Sequence, residues 1–140
     1  MEALQQLTHR QVEALRVIAA RQQETRGASL KEIATGLRVR SPSALAHLGP
    51  LEDLGLISRF RGKSRLTNRG SACLEEYRRH HRIAESLFSR AGLSPEATCR
   101  AAREVDLALS HHTVEKICAA EGHPPVCPHG EPIAPCHTST

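Results

Sequence analysis

The feature that most constrains the fold is a succession of helix start and stop signals in residues 28–70. Ser29 and Glu32 have the spacing of a capping box, in which each side chain bonds a free amide of the other residue, so a helix is predicted to begin there. The positions expected to form its apolar stripe are Leu30, Ile33, Ala34 and Leu37. Gly36 lies near the expected end of this short helix.

A second helix is predicted after a turn at residues 38–40, with Ser41 as its N-cap and Pro42 at its first helical position. Its inward-facing positions are expected to be Leu45, Leu48, Leu51 and Leu54. Gly55 suits the left-handed residue that ends a helix. Two short helices joined by a tight turn predict a helix-turn-helix unit.

Two strands around a tight turn at Gly62 are predicted to follow and to form a wing. Cations occupy every second position here, namely Arg59, Arg61, Lys63 and Arg65. Because side chains alternate along a strand, all four are expected on one side of the ribbon. A cationic ribbon can hold phosphates while the preceding helix occupies the major groove of duplex DNA.

The expected DNA contacts are therefore the start of the second helix and the wing. They comprise Arg40, Ser41, Pro42, Ser43, Ala46 and His47 on the helix, with Arg59, Arg61, Lys63 and Arg65 on the wing. Residues 1–70 carry 12 Lys and Arg against 6 Asp and Glu, whereas residues 71–140 carry 7 against 9. A basic first half favours DNA over the alternative that this helical hairpin only docks another protein.

Composition disfavours several other functions. One tyrosine and two phenylalanines are too few for the stacking platforms of single-strand or RNA binding. There is no signal-peptide pattern and no apolar run of membrane-spanning length, so we expect a cytoplasmic protein without membrane contact. Five cysteines in a reducing compartment are then expected to be thiols or metal ligands. No catalytic motif is present, and we expect no enzyme.

The remaining chain is predicted to be helical to about residue 121. One long helix begins after Thr67 and ends near Gly92, a second runs from Ser94–Pro95 to about Leu109, and a third follows the Ser110 cap. A further helix with a Thr8–Gln11 capping box precedes residue 28. Residues 123–140 are too rich in proline for a helix and are expected to form an irregular arm.

Two interpretations of exposed histidines accompany these helices. The pair His111–His112 follows the Ser110 cap and is expected to be exposed, and His80 beside Arg78 and Arg79 has the pattern of a solvated basic turn. The fold class predicted is mainly α: residues 1–70 form a winged helix-turn-helix DNA-binding domain, and residues 71–140 form a helical domain for dimerisation and for sensing a metal or other effector. A homodimer would supplement the modest core that a chain of this length can bury.

The order of these segments resembles the diphtheria-toxin-repressor family of metal-dependent transcriptional regulators in its short two-domain form. The resemblance covers roughly residues 7–133 and is carried by LEDLGLI, RLTNRG, RHHRIAE and HPPVCPHGEPI. It implies a homodimer that represses transcription by binding a palindromic operator of double-stranded DNA when iron or manganese is bound.

The resemblance also implies a set of metal ligands, carried over position by position. These are Glu13 on the first helix, His81 and Glu85 on the long helix, and Cys99 and Asp106 on the next helix. Cys99 stands where iron-sensing members have histidine. Two further family positions fall on Arg103 and Leu107, and a second acidic position of the manganese branch falls on Arg16, so these three are lost as ligands.

Two alternatives to that site remain open. Arg103 is always charged and could replace the ion by pairing with Glu13, Glu85 or Asp106, which would give a metal-independent regulator. Alternatively, sensing could depend on thiolates that bind zinc or an iron–sulfur cluster, for which the candidate set is Cys99, Cys118, Cys127, His129 and Cys136. If they bind no ion, Cys73 and Cys118 are expected to be small buried hydrophobic residues.

Overall fold

A computed structural model describes residues 2–135. The chain is mainly helical, as predicted, with one small sheet. In chain order the elements are α1 His9–Glu24, β1 Ala28–Ser29, α2 Leu30–Leu37, α3 Ser41–Asp53, β2 Ile57–Phe60, β3 Lys63–Leu66, α4 Asn68–Arg90, α5 Pro95–Val105 and α6 His111–Ala120, after a short 3₁₀ turn at Leu4–Gln6. None of the helices in the described residues has both the length and the apolar character of a membrane span.

The chain divides into two compact units. The N-terminal unit is Leu7–Glu75, and the C-terminal unit combines residues 2–6 with residues 76–135. Helix α4 begins in the first unit and ends in the second. Each unit is described below by itself.

The local signals that start α1 and α2 are confirmed. Thr8 and Gln11 form a reciprocal capping box at α1, and Ser29 and Glu32 form another at α2. Arg38, with a φ of 57°, ends α2 in the left-handed region. Apolar side chains from the three helices and from the segment after α3 then form the core of the N-terminal unit, including Leu15, Ile18, Ile33, Leu37, Leu48, Leu51 and, after α3, Leu56.

Helix α3 differs from the prediction in its cap and its buried face. The N-cap is Arg40 without a side-chain bond, and Ser41 is the first helical residue. Leu45 is 42% exposed, and Ala44 takes the inward position together with Leu48 and Leu51. Leucines at every third residue advance about 300° each time, so that row drifts around the helix and only part of it can face the core.

The sheet has the order β1-β3-β2, and both pairings are antiparallel. Arg61 and Gly62 form the two-residue turn of the wing with φ angles of 49° and 74°, the sign that a hairpin turn of the type I′ kind requires. Phe60 pairs with Lys63, and Arg59 pairs with Ser64.

This register corrects the prediction that four cations share one side of the wing. Paired residues of a hairpin project to the same face, so Lys63 and Arg65 lie on the face of Ser58 and Phe60. Arg59 lies on the opposite face with the buried Ser64, and Arg61 belongs to the turn. Alternation holds along one strand, but a two-residue turn shifts which positions face a given side.

A backbone contact fixes the start of α4. The Thr67 hydroxyl accepts a hydrogen bond from the Gly70 amide at 3.0 Å, which confirms the predicted cap. A Cβ at Gly70 would lie 1.9 Å from the carbonyl oxygen of Leu56, so only glycine fits there. The residue just before β2 therefore touches the first turn of α4.

In the C-terminal unit, α5 is shorter than predicted. It begins after the Ser94 cap as expected, but it ends at Val105 rather than near Leu109, with Asp106 as its C-cap. A turn in which the amides of Ala108 and Leu109 bond the Val105 carbonyl oxygen then leads to the extended Ser110, the N-cap of α6. The start and end of α6 agree with the prediction.

The described part of the C-terminal arm, residues 123–135, contains no helix but is ordered by a small antiparallel bridge between Val126 and Pro132. Cys127 and Ile133 are buried in a cluster with Ile83, Val114 and Cys118. Two α4 arginines bond carbonyls of the arm: Arg82 Nη1 donates to Pro132 at 2.6 Å, and Arg79 Nε donates to Ala134 at 3.2 Å. The arm is thus packed onto α4 and α6.

Candidate functional site

Three of the predicted ligands converge in the C-terminal unit. His81 and Glu85 lie one turn apart on α4, and α5 brings Cys99 beside them. His81 Nε2 is 3.3 Å from Glu85 Oε1 and 3.8 Å from Cys99 Sγ. One nitrogen, one oxygen and one sulfur atom, all within 4.8 Å of one another, could hold a metal ion.

Asp106 supports this group from behind and is not one of its converging donors. Its buried Oδ2 lies 2.8 Å from His81 Nδ1 and accepts a hydrogen bond from the Tyr77 hydroxyl, also at 2.8 Å. A carboxylate that holds one ring nitrogen of a histidine fixes the ring and leaves the other nitrogen for an ion. In this structure Asp106 orients His81, and its role as a direct ligand stays a prediction.

The C-terminal arm adds a second group that shares Glu85. Glu85, Cys127 and His129 also place three donor atoms within 4.8 Å of one another. His129 Nδ1 lies 2.6 Å from Glu85 Oε2, and its Nε2 lies 3.1 Å from the Pro95 carbonyl oxygen. Glu85, only 4% exposed, thus faces histidines with both of its oxygens.

The thiolate set predicted as an alternative is not assembled in residues 2–135. No donor group found there contains two cysteines. Cys118 lies in the apolar cluster, where its Sγ is 3.6 Å from His123 Nδ1, and Cys136 lies outside the described residues. Val114, four residues earlier on the same face of α6, is buried in this cluster together with Cys118.

Arg103 does not stand in for an ion in the C-terminal unit. It is exposed, and within the described residues no ion pair joins it to Glu85 or Asp106. Those two carboxylates face His81 and His129 instead. Glu13 belongs to the N-terminal unit, where it lies 3.4 Å from Arg16 on the exposed side of α1, and its role as a ligand stays a prediction.

Sequence reasoning missed a further donor group. Glu76, His80 and His111 place their ligand atoms within 4.8 Å of one another, although both histidines were expected to be solvated. The His80 side chain and the positive charges nearby lower the pKa of Glu76 below its ordinary value, against the opposing effect of burial. The missed signal was the i, i+4 spacing of Glu76 and His80 on one helix face.

The predicted DNA-contacting positions on α3 are accessible. Arg40, Ser41, Pro42, Ser43 and Ala46 are exposed, and His47 is half-buried. Arg26 and the outward face of the wing together line a depression. Arg26 was not among the predicted DNA-contacting residues. Arg65 Nη1 donates to the Arg26 carbonyl oxygen at 2.9 Å.

An acidic residue borders this basic surface. Glu32 pairs with Arg21, and Lys63 Nζ lies 3.6 Å from its Oε1. Hydrogen bonds from the Ser29 backbone and hydroxyl, aided by these cations, lower the pKa of Glu32 from 4.5 to about 2. The carboxylate therefore stays ionised and holds Lys63 beside the start of α2.

Family models match both halves of the chain. Residues 4–66 match the LexA DNA binding domain, and residues 67–135 match the iron dependent repressor, metal binding and dimerisation domain. No curated protein matches the chain significantly.

Solved structures give the same picture. A hypothetical protein from Sulfolobus solfataricus is 25% identical with a TM-score of 0.86, and the match covers 91% of this chain and 99% of that one. IdeR of T. acidophilum is 26% identical with a TM-score of 0.63, and the match covers 91% of this chain and 59% of that one. A manganese-dependent transcriptional repressor solved with manganese is 26% identical with a TM-score of 0.67, over 88% of this chain and 57% of that one.

The chain thus spans about three fifths of the length of these two repressors. The two family models together account for residues 4–135, and the winged helix-turn-helix and the helical unit with its donor groups correspond to them. The chain belongs to the diphtheria-toxin-repressor family of metal-dependent transcriptional regulators, whose members are not enzymes.

Proposed function

We propose that this protein represses transcription as a homodimer that binds a palindromic operator when a divalent transition metal occupies the site centred on Glu85. The observation that carries the proposal is the convergence of His81, Glu85 and Cys99 within a domain of the metal-binding and dimerisation type. The compartment that we propose for this protein is the cytoplasm.

The residues present fit a metal ion. The buried Glu85 carboxylate faces a histidine with each of its oxygens, His81 at Oε1 and His129 at Oε2. Nitrogen and sulfur donors favour ferrous iron or zinc over manganese, which prefers oxygen-rich sites. When bound, the ion would supply positive charge between a carboxylate and a thiolate, and the arm could add Cys127 and His129 to its ligands.

The DNA-binding surface of the proposal lies on the N-terminal unit. The exposed start of α3 supplies Arg40 and the neighbouring small polar residues to base edges, and His47 lies about one turn further along. The outward wing face, with Lys63 and Arg65, supplies phosphate contacts that carry little sequence information. We propose that the dimer exists in a DNA-binding state and another state, and that the metal binds more tightly to the first. The shift toward the DNA-binding state can then be no larger than this difference in metal affinity.

The test is duplex binding by fluorescence anisotropy at fixed salt, with Fe²⁺, Mn²⁺ or Zn²⁺ added anaerobically to metal-free protein. We expect metal to increase affinity for a duplex chosen by selection from random sequence, and Glu85→Gln to abolish that increase. Glu104→Gln is the matched control, because Glu104 is an exposed glutamate on α5. Cys99→Ser provides a second variant in case Glu85→Gln fails to fold.

Equal duplex binding with and without each metal would contradict metal control. Selected sites without two-fold symmetry, or a monomer by sedimentation in the presence of metal and duplex, would contradict the homodimer on a palindrome. Loss of metal response in Glu104→Gln as well would show that the effect of Glu85→Gln is not specific to the site.

A further inference from the structure

A second cluster of donors connects α4 and α6 within the C-terminal unit, apart from the site centred on Glu85. Glu76 and His80 lie one turn apart on α4, and His111 is the first residue of α6. Glu76 Oε1 is 3.5 Å from His80 Nε2 and 3.4 Å from His111 Nδ1. The two imidazole rings lie side by side, with centroids 6.0 Å apart and planes inclined by 26°.

His80 is the unusual member of this cluster. Its side chain is completely buried; Nε2 faces Glu76 at 3.5 Å, and Nδ1 makes no hydrogen bond within the described residues. His111 Nδ1 is also buried and faces the same carboxylate oxygen at 3.4 Å. Buried polar groups that lack good hydrogen bonds are costly and rare, so two buried imidazole nitrogens that face one carboxylate oxygen only at 3.4 Å and 3.5 Å indicate a missing partner between them.

The separations of the donor atoms match those around a metal ion. Nitrogen and oxygen ligands lie about 2.0–2.2 Å from zinc, so two ligands of a tetrahedral ion are about 3.3–3.5 Å apart. The contacts of 3.4 Å and 3.5 Å at Glu76 are of this length and are longer than a good hydrogen bond between nitrogen and oxygen.

Neighbouring groups orient His111 in the way that metal-bound histidines are oriented. Its Nε2 lies 3.5 Å from Glu115 Oε1, and Arg79 Nη1 holds that same oxygen at 2.7 Å. The negative charge of Glu115 on this side of the ring favours a proton on Nε2, which leaves Nδ1 free to bind an ion. The Glu2 carboxylate accepts from the His111 amide at 3.1 Å and offsets the positive end of α6.

We propose that Glu76, His80 and His111 bind a second transition-metal ion, with zinc as the best fit, which ties α4 to α6. Two imidazoles and one carboxylate suit zinc better than manganese. Three protein ligands leave the fourth position to water, and the His111 side chain, 39% exposed, gives solvent access. This site shares no ligand with the site centred on Glu85.

The test counts zinc in a background that lacks the first site. Metal-free Glu85→Gln protein is dialysed against zinc chloride and analysed for zinc per protomer, and its affinity is measured by competition with a chromophoric chelator. We expect one equivalent in this background. Adding His111→Gln or Glu76→Gln should remove it, with a loss of affinity larger than the roughly 10–100-fold that follows loss of a supporting group. Both positions are partly exposed, so these variants should fold.

His112→Gln in the same background is the matched control, because His112 is the exposed neighbour on α6. It should keep the equivalent, and circular dichroism in chelator should show the same fold for every variant. Cobalt in place of zinc should give visible d–d bands without a thiolate charge-transfer band, since the site contains no cysteine.

The outcomes separate this site from the proposed function. No zinc in the Glu85→Gln background, or an equivalent that survives both His111→Gln and Glu76→Gln, overturns the second site and leaves metal control through Glu85 intact. A zinc equivalent that depends on His111 and Glu76 supports the second site, even if duplex binding by the wild-type protein shows no response to metal.

Discussion

The two units bury different kinds of side chain. In the N-terminal unit the only buried polar side chains among the described residues are Gln11 and Ser64. In the C-terminal unit, five polar or charged side chains are buried, namely Arg79, His80, Glu85, Thr98 and Asp106. Burying ionisable groups costs free energy unless each is paired. This desolvation cost falls on the C-terminal unit and is nearly absent from the N-terminal unit.

This contrast follows from where each unit meets its ligand. A duplex binds to an outer surface, so the N-terminal unit can keep an apolar interior and place its cations outside. An ion must be surrounded, so the C-terminal unit needs donors that are inside and held in position. Stability and ligand binding should therefore be separable in the first unit and coupled in the second.

The coupling should be strongest at Asp106. Asp106→Ala leaves the Tyr77 hydroxyl and His81 Nδ1 without their acceptor. We expect a loss of about 3–5 kcal/mol in the free energy of unfolding and about 10–100-fold weaker metal binding, measured by denaturant titration and chelator competition. Asp106→Asn should recover part of the stability but not the metal affinity. Unchanged metal affinity in both variants would contradict the role of Asp106 in orienting His81 for metal binding.

The matching change in the N-terminal unit is Leu48→Ala. Leu48 is 1% exposed on α3, so its truncation should cost about 2–5 kcal/mol of unfolding free energy. Metal affinity at the site centred on Glu85 should stay unchanged, because no donor of the two groups at Glu85 lies in this unit. A parallel loss of metal affinity would show that the two units are not separable in this way.

A smaller effect should distinguish the two faces of the wing. Arg65→Ala removes a cation from the outward face, and we expect the slope of log affinity against log salt to fall by about 0.9, which is one phosphate contact. Arg59→Ala is the matched substitution on the opposite face and should change the slope less. Equal changes of the slope in the two variants would indicate that both faces of the wing contact DNA.

The smallest expected effect concerns acid. The pKa of Glu32 falls from 4.5 to about 2 on folding because Ser29 donates to its carboxylate. The native state thus binds fewer protons than the unfolded state, and the stabilisation by Glu32 is complete above pH 4.5 and is lost as the pH falls toward about 2. The difference in unfolding free energy between wild type and Glu32→Gln should shrink over that interval, and a constant difference would exclude the shift.

Local chemistry explains which parts of this molecule the sequence predicts. Capping boxes at Thr8 and Ser29 depend on residues three apart, and both helix starts are confirmed. Two predictions were wrong in part, namely that the four leucines of α3 all face inward and that the four wing cations share one side. The drift of the row around the helix and the register of the hairpin decide the face of each residue. Neither quantity is visible in the residue types alone.

The candidate site was predictable only where the family resemblance supplied positions. His81, Glu85 and Cys99 converge, but the supporting role of Asp106 depends on the side from which α5 approaches α4. Burial of His80 depends on the packing of α6 against α4. Such tertiary contacts join residues that are far apart in sequence, and spacing along one helix cannot reveal them.

The two-residue turn at Arg61 and Gly62 also limits how the wing can change in length. β3 is held by β1 on its other side, so one inserted residue in the turn either makes a three-residue loop with a bulge or forces β2 to slip. A slip by one position would turn Ile57 out of the core and Ser58 into it. Insertions of one residue should therefore be selected against unless a bulge absorbs them, whereas insertions of two keep every side chain on its own face.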